Sequence, residues 1–129
     1  MGSMDFTSLK VWQEAKELAV MIYKITDKEP ICRDYSFKDQ IRRSAISIAS
    51  NIAEGNDRET DKEFIRFLYI SKGSLAELMT QIEIGREIGY FKDEYEILKS
   101  HCNKISNMLG AFIRTLKAQE HLKDPKGIR

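Results

Sequence analysis

Residues 93–117 read DEYEILKSHCNKISNMLGAFIRTLK, and their apolar members recur at intervals of three and four: Tyr95, Leu98, Cys102, Ile105, Leu109, Phe112 and Leu116. That spacing is a heptad-like stripe, the mark of a helix with one face buried against other helices. Proline would break such a helix, and the only two in the chain, Pro30 and Pro125, lie outside this stretch. The fold is therefore built around long helices.

Working outward, Gly89 punctuates the chain before this helix, and a longer helical pattern precedes it. Thr60 and Glu63 form a T-x-x-E capping box, so a helix is expected over residues 61–88, ended by Gly89. Phe64, Leu68, Ser71, Leu75, Leu78 and Ile82 are its core line. A second face of this helix mixes Ile70, Gly73, Ser74, Glu77, Gln81, Ile84 and Ile88. A purely solvated face does not need three isoleucines.

Two more helices complete the pattern. Ser36 reads as an N-cap for a helix over residues 37–54 that Gly55 ends, with Ile41, Ala45, Ile48 and Ile52 in the core. Gln40, Arg43, Ser44, Ser47, Asn51 and Glu54 form an adjoining polar arc, and Ile46, Ala49 and Ala53 a third one. Thr7 or Ser8 caps a first helix reaching Thr26, whose stripe is Trp12, Ala15, Ala19, Ile22 and Thr26, widened by Val11, Leu18 and Ile25. Connections of about 5 and about 4 residues after the second and third helices cannot run the length of a bundle, so those neighbours are antiparallel. The expectation is all-α: a single antiparallel up-and-down four-helix bundle over residues 4–123, without strands. Residues 1–3 read as a remnant of expression and 124–129 as a frayed tail, with fraying expected over the last dozen residues.

Composition narrows the function classes. Lys plus Arg number 21 against 20 Asp plus Glu, so the field of one subunit is weak. No apolar run approaches the roughly 20 residues of a membrane span. Two isolated cysteines, Cys32 and Cys102, suggest neither a disulfide framework nor a zinc site, which points to reduced thiols and the cytoplasm.

Helical bundles can hold di-iron centres built from Glu-x-x-His pairs, but no Glu stands three residues before His101 or His121. Phosphate-binding loops and H-E-x-x-H are absent as well. His101 reads as a boundary residue bonded to a neighbouring helix, Cys102 as a small core hydrophobe, and Gly73, Gly85 and Gly110 as points of close backbone approach or exposed, tolerated positions. No catalytic residue, metal ligand or cofactor is assigned. Lys99, Arg114 and Lys117 on the last helix are the candidate nucleic-acid contacts, set against an ordinary solvated face.

The segments Gln40-Ile41-Arg42-Arg43, Ser47-Ile48-Ala49-Ser50-Asn51-Ile52-Ala53-Glu54-Gly55 and Gly73-Ser74-Leu75-Ala76-Glu77-Leu78 together resemble the four helix bundle proteins of the 23S rRNA intervening-sequence family. The likeness extends through Leu9, Val11, Trp12 and Ile88-Gly89-Tyr90. The resemblance implies a small bacterial bundle protein, a homopentameric ring and no established enzymatic activity. A related group serves diversity-generating retroelements through a basic ring that engages nucleic acid and reverse transcriptase.

Two functions follow as expectations. One is a non-enzymatic oligomeric scaffold or protein-binding module; the other is an accessory factor binding nucleic acid through a basic surface of the assembled ring. Arg43, Asn51, Glu54, Ile70, Gly73, Ser74, Glu77 and Ile84 are the candidate contact residues, placed either between subunits or between helices of one subunit.

Overall fold

The computed structural model describes residues 5–123, in which four helices occur: α1 (Lys10–Thr26), α2 (Tyr35–Asn56), α3 (Asp61–Glu87) and α4 (Glu94–Lys123). No strand occurs among the described residues. Each helix packs on its neighbours in sequence, and α1 closes on α4. The result is the all-α, up-and-down bundle that the short connections require.

The core is where the apolar stripes placed it. Leu18, Ile22, Ile41, Ile48, Ile52, Leu68, Leu78, Leu98, Ile105 and Leu109 are fully enclosed. Each such side chain contributes roughly 1.5–3 kcal/mol of transfer free energy. The stripes of α2 and α3 hold throughout. Phe112 of α4 is only half-buried, with Ile113 taking the enclosed position, and Phe112 instead meets Phe64 edge-on at 5.1 Å. In α1 the stripe centres on Val11, Ala15, Leu18, Ile22 and Thr26, while Trp12 and Ala19 stand at its edge.

Several helix ends differ from the expected ones, each for a physical reason. Asp5 caps a short 3-10 turn at Phe6–Ser8 by accepting from the Thr7 N–H, and that turn lays Phe6 against Trp12, with ring centroids 5.1 Å apart. The helix proper then begins at Lys10 behind Leu9, with no side-chain cap, so neither Thr7 nor Ser8 is the N-cap. For α2 the cap is Asp34, not Ser36: its Oδ1 accepts from the Phe37 N–H at 3.1 Å while Oδ2 accepts from the Tyr90 hydroxyl at 2.7 Å. A carboxylate anchored by a second donor outcompetes a serine hydroxyl. Thr60 caps α3 as expected, accepting from the Glu63 N–H at 3.1 Å, and Gly89 follows with φ +88°, a conformation only glycine adopts cheaply.

Gly55 does not end α2, which runs on to Asn56. It is buried, and a Cβ there would stand 2.7 Å from Phe64 Cδ1 and 2.8 Å from Phe67 Cβ. The glycine lets α3 approach. The last helix also outruns its expected end, remaining helical through Lys123, so the fraying expected from residue 118 does not occur at residues 118–123. Residues 1–3 and 124–129, read as remnant and tail, lie outside the described residues.

Candidate functional site

The α2–α3 seam, the richest in polar residues at the sequence level, separates the candidate contact residues into two groups. Ser74 is buried, and its Oγ lies 2.8 Å from Ser47 Oγ. Asn51 donates to the Ser47 carbonyl at 2.8 Å and to Ser47 Oγ at 3.0 Å. One helix turn further along, Ser71 donates to the Ile48 carbonyl. These serines take up polar groups between two closely packed helices, and Asn51 and Ser74 both find hydrogen-bond partners within this chain.

The other candidates face outward. Arg43 and Glu77 line a polar groove of about 370 Å³ together with Gln40, Ser44, Ser47 and Gln81. Glu54 reaches Arg58 at 3.8 Å. Ile70 and Ile84 are exposed on α3, Ile84 at 49%. Gly73 is exposed with open space around it, so no backbone of this chain approaches it. At Gly85 a side chain and not a backbone makes the close approach: the Phe91 ring occupies the space of a Cβ.

A second apolar surface was only half legible in the sequence. Trp12, Ala19, Val20 and Tyr23 of α1 and Ile46, Ala49 and Ala53 of α2 line an open groove of about 620 Å³. Val20 and Ile46 remain more than 40% exposed. The arc of Ile46, Ala49 and Ala53 was the sequence signal. Its α1 counterpart was hidden because Trp12 and Ala19 read as core.

The basic candidates do not converge. Lys99 and Lys117 are eighteen residues apart on α4, about 27 Å along its axis. Lys99 lies over the Tyr95 ring at 5.5 Å, and its hydrogen bond with Tyr95 raises its pKa. Lys117 donates to the Tyr69 hydroxyl at 2.8 Å, which lowers the pKa of that phenol. Arg114 is exposed on the same helix.

Between α1 and α4 runs a third groove, of about 570 Å³, lined by Glu14, Glu17, Met21, Glu96, Ile97, Ser100, His101 and Lys104. His101 is indeed a boundary residue held to a neighbouring helix: its Nε2 lies 3.0 Å from Glu14 Oε1. The contact is electrostatic and poorly aligned, because Nε2 has no directed hydrogen-bond partner. Lys104 reaches Glu14 Oε2 at 3.1 Å. That hydrogen bond, helped by the charges of Lys104 and His101 and opposed by partial desolvation, holds the Glu14 carboxyl below its usual range. Cys102, next to His101 in sequence, points into the core, where burial pushes its thiol up to about 12 and keeps it protonated.

These features define a class: a four-helix bundle with grooved, partly apolar outer faces. The chain matches the model of the family described as 23S rRNA-intervening sequence protein over residues 7–111, and it belongs to that family. Among solved structures it is similar to the crystal structure of a protein with unknown function from the S23 ribosomal protein family of Bacteroides thetaiotaomicron. The two are 28% identical with a TM-score of 0.73, over 80% of this chain and 97% of that one. No curated protein matches the chain. Neither the family nor the neighbour is described as an enzyme. No helix among the described residues is long and apolar enough to cross a membrane.

Proposed function

We propose that this protein is a non-enzymatic, self-assembling scaffold of the cytoplasm whose subunits join head to tail into a closed ring. The carrying observation is that one bundle exposes two unlike apolar surfaces: the groove around Val20 and Ile46, and the row formed by Ile70 and Ile84 of α3 with Ile88 at its C-cap. Exposed apolar surface of this kind marks interaction sites. Two different, complementary patches on one molecule make a heterologous contact, which generates a ring when the rotation closes. A ring of five is the assembly that the family resemblance implies. A formal charge of +1 leaves little repulsion between like subunits.

Sedimentation velocity on wild type, Ile46→Glu and Ile84→Glu tests the reading. Wild type is expected as one defined oligomer, and each variant as a helical monomer, since burying an unpaired carboxylate is costly. Mixing the two variants is the sharper arm. Each retains one intact patch, so a head-to-tail contact yields a heterodimer that cannot close. A wild type that stays monomeric at high concentration overturns the assembly; two variants that both stay oligomeric overturn this interface.

A further inference from the structure

Three side chains that assembly does not use converge between α1 and α4. Glu14 and Glu17 stand at i and i+3 on α1, hence on one face, and His101 meets them from α4. One ligand atom from each lies within 4.8 Å of the other two. The 3.0 Å between Glu14 Oε1 and His101 Nε2 already suits two ligands of one ion. Bonds of about 2.1 Å separate neighbouring ligands by about 3.0 Å in an octahedron and roughly 3.4 Å in a tetrahedron. Glu17 is exposed, and an inward swing of at most roughly 1.4–1.8 Å would bring its carboxylate to such a spacing.

A second observation points to a cation independently of the spacing. His101 Nε2 is enclosed, the imidazole being only 12% exposed, yet no directed hydrogen bond satisfies that nitrogen. Glu14 and Glu17 bring two carboxylates to this nitrogen, a concentration of negative charge that a positive charge between them would offset. Lys104 supplies part of that charge from the side, at Glu14 Oε2. The open groove gives an ion its entry path.

We infer that Glu14, Glu17 and His101 form a binding site for a divalent transition-metal ion, with Zn²⁺ best suited to one imidazole and two carboxylates. Three protein ligands leave a position for water from the groove. Such an ion clips the first helix of the bundle to the last. It binds the folded chain and not the unfolded one, so occupancy adds stability by mass action.

The test is calorimetric titration of chelator-treated, tag-free full-length protein with zinc chloride, paired with thermal unfolding. One ion per chain and a raised midpoint are expected. His101→Ala and Glu17→Gln should each weaken binding by roughly tenfold or more, the scale on which metal sites respond to losing a supporting group. Lys104→Met should tighten it, because the ammonium no longer competes for Glu14. Circular dichroism checks that the variants fold, and Glu17→Gln, a surface change, leaves the bundle intact. The site is overturned by the absence of saturable binding up to about 1 mM zinc. It is equally overturned by full affinity in Glu17→Gln, which would place the ion elsewhere, or by unchanged affinity in Lys104→Met.

Discussion

Gly55 and Phe64 stand so close that a methyl group on the glycine would lie 2.7 Å from the ring carbon Cδ1. The contact joins the last turn of α2 to the first turn of α3 across the connection between them.

Gly55→Ala should therefore destabilise the protein although alanine favours helix by about 1 kcal/mol. Overpacking of a closed contact costs typically 1–3 kcal/mol, and here the ring and the Phe67 Cβ must both move. Gly73→Ala is the control, since nothing lies within 4 Å of the added carbon. It should gain up to about 1 kcal/mol in urea unfolding of the isolated chain. Similar effects at the two positions would show that Gly55 is not pinned.

Ile105→Ala should cost around 2–5 kcal/mol, whereas Cys102→Ala should be milder, although both residues are fully enclosed. The difference is void size. Chemical denaturation of the two variants measures it, and equal, negligible losses would place both outside the core.

The Cys102 thiol also sets a pH dependence. Its folded pKa, about 12, lies above the ordinary 9.0, so the folded chain holds a proton that the unfolded chain releases. The contribution is fully present below about pH 9 and is lost as pH rises toward 12. Wild type should lose more stability than Cys102→Ala over that interval. In native protein at neutral pH a thiol reagent should modify half-buried Cys32 and spare Cys102 until the chain unfolds.

Asp34 gives the opposite sign. The Tyr90 hydroxyl and, next, the Phe37 N–H lower its pKa, so its stabilising contribution is present above the unfolded value and disappears as pH falls through the folded one. Tyr90→Phe should bring the acid unfolding midpoint to higher pH. An unchanged acid limb would mean that the hydroxyl does not support the carboxylate.

What the sequence made legible follows from the range of the forces involved. The α4 stripe, except at Phe112 where Ile113 is enclosed instead, the Thr60 cap and Gly89 are decided within one or two helix turns, and they hold. Asp34 displaced Ser36 as a cap because Tyr90, fifty-six positions away, holds its other oxygen. Gly55 read as a terminator because its true reason, two phenylalanines of α3, needs the packed pair to be seen. The Glu14, Glu17 and His101 cluster was silent for the same cause: its members sit on the first and last helices and match no local spacing.

The bond between Tyr90 and Asp34 joins the two connections that share one end of the bundle, and Phe37 adds to it by packing edge-on against the Tyr90 ring at 5.2 Å. Shackled in this way, the α1–α2 and α3–α4 crossings cannot breathe separately. Amide exchange should then show a polarity along the long axis, with the clasped end opening late and in concert and the end carrying Lys10 and Leu122 opening first. A bundle of near-parallel rods, alike in cross-section from top to bottom, thus has a hinge end and a mouth.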